Sequence, residues 1–443
     1  MNPDSGTVRK KVLMLASVAS MISQFNMKNI RLLQDMGYQV HVVCNFIEGN
    51  TCDTKELKKL RRLLGEAGVV CHQWDCPRSA YAFCRCVKAY QQLCGLLKQE
   101  SFAWMHCHSP VGGALGRLAA HRWDIPVLYT AHGFHFYQGA PLRNWLLYEP
   151  PEKLLARWTK ALVTVNLEDH AFARKKLKVP HIFRIPGVGI DSAMLCAENG
   201  RQEDRVRFCE KYRIAQDAVI LLSVGELSKR KNHQAVIAAM SGLPEKNICY
   251  MICGQGVQKD KLMRLAHRYN VADRIRLTGY QSNLGVFYRN ADVFVFPSLQ
   301  EGMPVALMEA MAAGMPCIAS SIRGNRELLA EKRLSITRQE PAGNRHVHER
   351  LGSMSQDWPI TTPGGILFRP NKQKELQKAL EQMLEKREYW KAFGEYNAQQ
   401  VHLYDISVVQ KRMKQIYQIM ETDHDGGYKV QGRIKENEDG RNR

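Results

Sequence analysis

The sequence predicts an α/β protein that contains two doubly wound parallel sheets. Short apolar runs alternate with segments of helical periodicity, which is typical of β-α-β units and a parallel sheet. The alternation breaks near residues 186–205 and then begins again. The length of 443 residues also exceeds what a single hydrophobic core ordinarily supports. We therefore expect two domains of the same class with a cleft between them.

Seven strands and six helices are predicted in the first half. The strands are expected at 11–16, 39–44, 69–73, 103–107, 126–130, 161–165 and 182–185. The helices are expected near 23–36, 55–67, 82–99, 111–122, 142–157 and 168–177. In sheets of this kind ligands bind beyond the carboxyl ends of the strands, so a site is expected in the loops at that edge.

The second half repeats the pattern after turn chemistry at 186–191 and a polar stretch at 198–205, which we interpret as a linker. Its strands are expected at 218–224, 248–253, 274–278, 292–296, 316–319 and 364–367. Its helices are expected near 232–241, 257–269, 283–289, 304–313, 324–331 and 371–386. Residues 332–362 fit neither pattern, and we expect an inserted surface loop there.

These patterns predict the domain organisation. An N-terminal domain is expected over residues 1–195 and a second domain over 196–385. Residues 386–421 are predicted to be long helix that packs back on the first domain. The charged tail 422–443 is predicted to be disordered.

Composition excludes several protein classes. The apolar fraction of 45% and the charged fraction of 24% are those of a globular protein. No apolar run approaches the roughly 20 residues that span a bilayer. The short apolar run 12–19 behind a basic N-terminus predicts a first strand, not a signal peptide. Thirteen cysteines without framework spacing favour a reducing, cytoplasmic compartment.

The net charge of +20 is compatible with nucleic acid, an anionic membrane surface or acidic substrates as partners. Cations are dense at 55–62 and 174–178, and basic and aromatic residues interleave at 78–90. Zinc-ligand spacing and aromatic RNA-binding motifs are absent from the sequence, so nucleic acid is not expected. Basic amphipathic helices adsorb to anionic lipid. A peripheral position on the inner membrane face is therefore the alternative to ordinary solvated helix faces.

One stretch of the second half indicates a ligand site. An apolar run at 293–296 is followed by a turn and then by Pro304, whose fixed φ suits a helix start. The apolar helix that follows ends at Gly314 and contains Glu309, with Glu301 on the turn before it. Amides at a helix start bind anions, and a buried carboxylate is costly unless it is paired or ligated. The combination predicts a nucleotide-sugar site, against the alternative that both glutamates are solvated.

The spacing of Glu301 and Glu309, with seven residues between them, resembles the E-x7-E motif of the retaining glycosyltransferases of family 4, which have the GT-B fold. Three further segments, at 17–45, 130–141 and 223–233, resemble the bacterial branch that builds capsular polysaccharide and exopolysaccharide. The resemblance extends over about residues 10–421. It implies two Rossmann-like domains facing a central cleft, and a C-terminal helix that crosses back to the first domain.

The resemblance implies a donor site on the second domain. Glu301 would contact the hydroxyls of the donor sugar, Glu309 the ribose hydroxyls and Lys231 the diphosphate, where a fixed cation lowers the barrier to departure. Many relatives have an arginine where this chain has Glu226, and Arg230 is the candidate to replace it. A basic loop at a helix start is the plain alternative for these cations. The other expected donor-binding residues are Gly302, Met303, Pro304, Val305, Gly254 and Tyr280.

The acceptor side is expected on the first domain. His132 follows an apolar strand, where a site residue belongs, and the resemblance implies that it faces the donor sugar and the acceptor. The alternative is a structural histidine. The expected acceptor-binding residues are Ser17, Gln24, Phe25, Asn26 and His135. The catalytic residues would be Glu301, His132 and Lys231. The pair His106 and His108 favours a structural role over a metal site, and neither a metal nor another cofactor is expected.

The resemblance therefore implies a retaining hexosyltransferase. Its donor would be a nucleotide sugar, most simply a UDP-sugar, and its acceptor a polyprenyl-diphosphate-linked or growing saccharide. Two alternatives remain open at this stage. A nucleotide-sugar epimerase of the same fold would convert the donor without an acceptor. A basic scaffold or nucleic-acid-binding protein would instead show steeply salt-dependent binding of DNA or RNA.

Overall fold

The computed structural model describes residues 9–48, 54–193, 202–330 and 358–422. The first sheet contains β1 (Lys11–Val18), β2 (Gln39–Asn45), β3 (Val70–Gln73), β4 (Trp104–His108), β5 (Val127–Ala131), β6 (Ala161–Thr164) and β7 (His181–Arg184). All its pairings are parallel, in the order β3-β2-β1-β4-β5-β6-β7. The order reverses between β1 and β4, and a crevice for ligands forms at such a point.

The first domain packs helices on both faces of this sheet. They are α1 (Ala19–Phe25), α2 (Met27–Asp35), α3 (Thr54–Glu66), α4 (Phe83–Gln99), α5 (Pro110–Arg122), α6 (Leu142–Ala156) and α7 (Leu167–Lys176). The central strands are buried on both sides, and Leu13, Met14 and Leu15 of β1 are fully inaccessible to solvent. This explains why the strands are continuous apolar runs instead of alternating patterns.

The second sheet has the same design. Its strands are β8 (Val219–Val224), β9 (Ile248–Cys253), β10 (Ile275–Gly279), β11 (Val293–Phe296), β12 (Cys317–Ser320), β13 (Ile360–Thr362) and β14 (Gly365–Phe368), in the order β10-β9-β8-β11-β12-β14-β13. Only the edge strand β13 is antiparallel among the described strands. The helices are α8 (Gln202–Tyr212), α9 (His233–Met240), α10 (Lys259–Arg268), α11 (Gly285–Asn290), α12 (Val305–Ala312), α13 (Arg323–Leu329), α14 (Gln373–Glu385), α15 (Trp390–Val401) and α16 (Ile406–Thr422). The predicted α/β class with two parallel sheets is confirmed.

Three predictions about element boundaries were wrong. The helix expected near 23–36 is two helices, because the backbone of Asn26 leaves helical geometry between them. The polar linker expected to end at 205 already contains the start of α8. The end of the inserted loop forms β13, which pairs with β14. The remainder of that loop, 331–357, and the tail 423–443 lie outside the described residues.

The C-terminal segment was predicted as long helix that packs back on the first domain; its last helix does pack there, but the segment is interrupted. It is divided at Asp405, whose carboxylate accepts hydrogen bonds from Ser192 and Ser407. Burial opposes ionisation of Asp405, but these hydrogen bonds outweigh it and lower its pKa to about 2. The helix before the break, α15, packs on α12 of the second domain, and only α16 packs on α2 of the first. No helix in the described part of the chain has the length and apolarity needed to cross a membrane.

Candidate active site

Glu301 lies in the loop between β11 and α12, at the carboxyl edge of the second sheet. Its Oε1 atom is 2.9 Å from Nζ of Lys231 and 2.7 Å from Nη1 of Arg230. Burial by itself would raise the pKa of Glu301, but the charges of Lys231 and Arg230 hold it below its ordinary value. The carboxylate is therefore ionised at neutral pH and oriented by two cations.

The two cations reach Glu301 because two loops are joined. Leu299 N–H donates to the carbonyl of Arg230 at 2.8 Å, and the Asn232 amide donates to Pro297 at 3.3 Å. Burial lowers the pKa of Lys231, and the charge of Glu301 opposes that effect. The charge of Glu226 also acts to raise the pKa of Lys231. Arg230, the expected replacement for the cation missing at Glu226, is paired with Glu301.

Helix α12 begins after Pro304, and it is almost wholly apolar and mostly buried. Glu309 lies on this helix and accepts a hydrogen bond from the Tyr288 hydroxyl, with 2.8 Å between the oxygens. Burial raises the pKa of Glu309, and the Tyr288 hydrogen bond acts in the opposite direction. One carboxylate oxygen is thereby fixed. The described residues donate no hydrogen bond to the other oxygen, which leaves it available to a ligand hydroxyl.

Close backbone packing brings the other predicted donor residues to the same edge of the sheet. Gly254 N–H donates to the carbonyl of Gly279 at 2.7 Å, so the ends of β9 and β10 are joined. A Cβ atom at Gly254 would lie 1.9 Å from the carbonyl oxygen of Gly225, so only glycine fits there. Tyr280 follows β10 and is 42% exposed.

His132 follows β5 and faces Glu301's loop from the other domain. A Cβ atom at Gly302 would lie 1.9 Å from the carbonyl oxygen of His132, so the two backbones are in direct contact. The Nε2 atom of His132 is 3.1 Å from Nδ1 of His108, and its ring lies 6.0 Å from that of Phe25. Burial lowers the pKa of His132 to about 4, so the ring is neutral at pH 7.

Arg323, at the start of α13, connects the two domains and was missed by the sequence analysis. Its Nη1 atom donates to Asp169 at 2.6 Å and its Nη2 atom to the carbonyl of Phe134 at 2.7 Å, both in the first domain. Its Nε atom donates to the carbonyl oxygen of Glu301 at 2.9 Å. The side chains of Arg323 and Asp169 are each 2% exposed. Arg323 therefore holds the backbone of Glu301 against the first domain.

Two further ion pairs flank this contact. Arg326 lies 3.2 Å from Glu168, and Arg184 lies 3.0 Å from Glu327. Burial raises the pKa of Asp169 to about 6 even though the charge of Arg323 opposes the shift. The dense charges at 323–327 were visible in the sequence, but nothing local indicated partners more than 140 residues away.

Two of the predicted acceptor residues are committed to internal contacts. The Ser17 hydroxyl is 3% exposed; it is 2.7 Å from Ser109 Oγ and accepts from Gly112 N–H at 2.9 Å. The Asn26 amide is 1% exposed and donates to Met21. Both side chains are therefore buried and hydrogen-bonded within the first domain, which departs from the expected acceptor role. Their type and position suit a turn as well as a ligand, so the sequence could not separate the two roles.

The other predicted residues of the first domain remain accessible. Gln24 is exposed and Phe25 is half-buried near His132. The ring of His135 packs at a tilt against that of Tyr148, with 4.8 Å between ring centroids. Burial lowers the pKa of His135, and the charges of Arg323 and Arg230 act in the same direction. His106 has the structural role that was expected, since it contacts Thr130 at 2.8 Å and Tyr417 of α16 at 3.1 Å.

Comparison with known proteins agrees with this geometry. Residues 22–187 match the model of the glycosyl transferase 4-like domain, and residues 204–339 match that of glycosyl transferases group 1. The chain is 33% identical over 333 residues to EpsD of Bacillus subtilis (strain 168), a protein designated as a glycosyltransferase, with coverage of 73% of this chain and 81% of EpsD. This chain belongs to glycosyltransferase family 4. The predicted family is thereby confirmed.

Other relatives of this family-4 glycosyltransferase agree with the assignment. An Escherichia coli protein named as a UDP-Gal:alpha-D-GlcNAc-diphosphoundecaprenol alpha-1,3-galactosyltransferase is 31% identical over 248 residues, 54% of this chain and 63% of its own length. The crystal structure of Anabaena HepE with UDP and glucose has a TM-score of 0.67 at 14% identity, covering 93% of this chain and all of HepE. Sucrose-phosphate synthase from Thermosynechococcus elongatus gives a TM-score of 0.69 at 17% identity, covering 93% of this chain and 99% of its own. The fold is therefore GT-B, as expected.

Proposed function

We propose that this glycosyltransferase moves a hexosyl or N-acetylhexosaminyl group from a UDP-sugar to a lipid-linked or growing saccharide, with retention of the anomeric configuration. The observation that carries the proposal is the ionised Glu301 beside Lys231 and Arg230, with His132 opposite it across the cleft. The name of the Escherichia coli relative, which includes UDP-Gal and a diphosphoundecaprenol-linked sugar, supports this donor and acceptor. The HepE complex with UDP supports the same base.

In this proposal the donor lies along the carboxyl edge of the second sheet. The backbone amides of Gly302, Met303 and Val305 at the start of α12 bind the diphosphate and sugar, because amides at a helix N-terminus attract anions. The free oxygen of Glu309 accepts a ribose hydroxyl, with Tyr288 holding the carboxylate in place. Glu301 is held between the two cations and accepts hydrogen bonds from hydroxyls of the sugar.

The proposed chemical step is a front-side substitution. The acceptor oxygen attacks C1 on the face from which the diphosphate leaves, so the C1–O bond to phosphate breaks as the C1–O bond to the acceptor forms. The proton of the acceptor hydroxyl passes to the departing phosphate oxygen. Lys231 and Arg230 stabilise the negative charge that grows on the leaving group. His132 is neutral near pH 7, which suits a hydrogen-bonding role beside the sugar better than a second cation.

We further propose that these cations take the place of a divalent metal. Lys231 and Arg230 both lie within 3 Å of Glu301 and carry the charge that a metal would supply. Transfer should therefore persist in EDTA. Loss of activity in EDTA that Mg²⁺ or Mn²⁺ restores would contradict this part of the proposal.

The proposal is tested first by ligand binding and then by transfer. Binding of the correct nucleotide sugar from a UDP- and GDP-sugar panel should raise the melting temperature, because a ligand that binds only the folded state stabilises it. Glu301→Gln keeps the size of the side chain and removes its charge. It should reduce transfer by on the order of 10²–10³-fold, the range found when one stabilising group is removed.

Glu375→Gln is the matched control, because Glu375 is also ion-paired, to Arg369, but on a distant helix. It should leave transfer unchanged. Near-normal transfer by Glu301→Gln would overturn the assignment of the site. Donor conversion in the absence of any acceptor would instead favour the epimerase alternative.

The product of such a reaction fits exopolysaccharide or capsule synthesis. EpsD, the relative with the longest match described above, is designated as a glycosyltransferase. We propose that the chain works at the inner face of the plasma membrane, where polyprenyl-linked intermediates are held. The net charge of +20 supports attraction to an anionic surface.

A further inference from the structure

Exposed apolar side chains are concentrated on one part of the first domain. Among the described residues fourteen large hydrophobic side chains are exposed, and seven of them lie in the two segments 81–87 and 142–154. The most exposed of these seven are Tyr81 at 77%, Leu142 at 74%, Phe83 at 73% and Leu146 at 68%. Single exposed hydrophobic residues are ordinary, but a cluster of this kind usually marks an interaction surface.

The two segments form one continuous surface. The Tyr81 side chain is close enough to Tyr148 of α6 to help raise the pKa of that tyrosine, which places the loop before α4 beside that helix. The inward side of α6 is occupied by Trp145, whose ring lies 5.5 Å from that of Phe136, and by the buried residue Leu155. Leu142, Leu146 and Leu147 are on its outward side. Together with Tyr81 and Phe83 they form what we call the apolar face.

The segments that carry the apolar face are also rich in cations. The segments 78–90 and 142–157 contain six lysines and arginines and two glutamates. One of these glutamates, Glu152, is directed inward and is paired with the buried Arg117. Three of the cations are paired with carboxylates, while Arg78 and Arg143 are exposed to solvent. An apolar centre with a basic margin is complementary to an anionic lipid surface, where acyl chains lie beneath negative headgroups.

The apolar face also adjoins the acceptor half of the cleft. The Asn144 amide on α6 donates to the carbonyl of His135 at 2.9 Å, and the Tyr148 ring packs against the His135 ring. His135 is three residues beyond His132, in the loop that contacts Gly302. A partner surface bound to the apolar face would therefore lie next to the opening of the cleft through which an acceptor enters.

We propose that the apolar face rests on an anionic bilayer and presents the cleft to lipid-linked acceptors at its surface. This inference rests on the proposed function for the nature of the acceptor, but not for the docking itself. Pro150 and Pro151 cannot donate hydrogen bonds to the carbonyls one turn earlier in α6, so that part of the helix needs water or headgroups as partners. The helix would therefore lie in the headgroup region without entering the hydrocarbon core.

Flotation with vesicles tests the proposal. The full chain should float with vesicles of phosphatidylglycerol and phosphatidylcholine at low salt, and more weakly with phosphatidylcholine alone. The double variant Leu142→Glu/Leu146→Glu should lose about tenfold or more of its vesicle affinity, because two apolar anchors become anionic. The matched control is Val257→Glu/Tyr389→Glu, which makes the same change in charge at exposed apolar residues of the second domain. It should float like the unmodified chain.

The outcomes separate this proposal from its alternatives. Equal loss of vesicle binding in both double variants would show a general charge effect and overturn the specific face. A dimer in light scattering that Leu142→Glu/Leu146→Glu converts to a monomer, with no vesicle binding by either protein, would assign the face to a second copy of the chain. Thermal stabilisation by UDP-sugar should be the same in all three proteins. Its absence from all three, with vesicle binding intact, would overturn the proposed function but not the docking surface.

Discussion

Replacement of Arg323 by methionine tests whether the two domains are held together through one buried ion pair. The change preserves much of the length of the side chain and removes all three of its hydrogen bonds, to Asp169, Phe134 and Glu301. The Asp169 carboxylate is then left buried without its cation. Breaking a buried pair by removing one partner costs about 3–5 kcal/mol, so we expect a loss of stability of that size at pH 7.

The loss of stability caused by Arg323→Met should be smaller at low pH than at neutral pH. The pKa of Asp169 is about 6 in the folded chain, above its ordinary value of 3.8, because burial outweighs the attraction of Arg323. A raised acid pKa means that the folded state binds the proton more tightly, so stability decreases as pH rises through this range. Without Arg323 the pKa rises further, and the unpaired carboxyl is neutral at pH 5. The cost of Arg323→Met should therefore be about 1–2 kcal/mol smaller at pH 5 than at pH 7.

Urea unfolding at pH 5 and pH 7 measures the cost in stability of Arg323→Met. The second variant is Asp169→Asn/Arg323→Met. The double variant has no buried charge at this position and should recover much of the stability and lose the pH dependence. Arg326→Met is the control, because its pair with Glu168 is partly exposed and should contribute less than about 1 kcal/mol. Equal costs for Arg323→Met and Arg326→Met, or the same cost at both pH values, would refute the reasoning.

Three other predictions concern the site. Gly302→Ala places a Cβ atom 1.9 Å from the His132 carbonyl oxygen and should push the two loops apart. Transfer should therefore fall by more than about tenfold. Full activity would show that the loops can move to accommodate the extra methyl group. Tyr288→Phe removes a hydrogen bond to Glu309, and UDP affinity measured by calorimetry should fall by roughly fivefold, or about 1 kcal/mol; unchanged affinity would separate Glu309 from the nucleotide. Because the pKa of His132 is about 4, its ring should show no NMR titration between pH 8 and about 5.5, and a midpoint near its ordinary value of 6.5 would contradict its burial.

Structural features that depend on residues close together in the sequence were predicted well. The strands β8, β9 and β11 are apolar runs because both faces of the sheet are covered, and they lie within one residue of the expected bounds. Helix α12 starts behind Pro304 and is followed by Gly314, whose φ of +68° favours glycine. Glu301 and Glu309 could be recognised from their spacing, because a strand, a turn and a helix place them at one edge of the sheet.

Features that depend on partners far along the chain were not predicted. The break before α16 depends on Asp405 meeting Ser192, which is more than 200 residues earlier. Ser17 was expected to face an acceptor, but its hydroxyl is used by Ser109 and by the start of α5. Side-chain type and local pattern are the same for a serine that binds a ligand and a serine that joins two loops. Only the neighbours in space distinguish them.

The sequence by itself determined the α/β class, the repeated domain and the placement of Glu301 and Glu309 at one edge of the second sheet. It could do so because strand periodicity, helix starts and the spacing of Glu301 and Glu309 are set by residues close together in the chain. The tertiary structure alone decided how the halves meet, through Arg323 on Asp169 and through Gly302 on the backbone of His132. It also decided which apolar side chains remain exposed. Those outcomes depend on burial and on charges brought together from separate domains, and no local pattern encodes them.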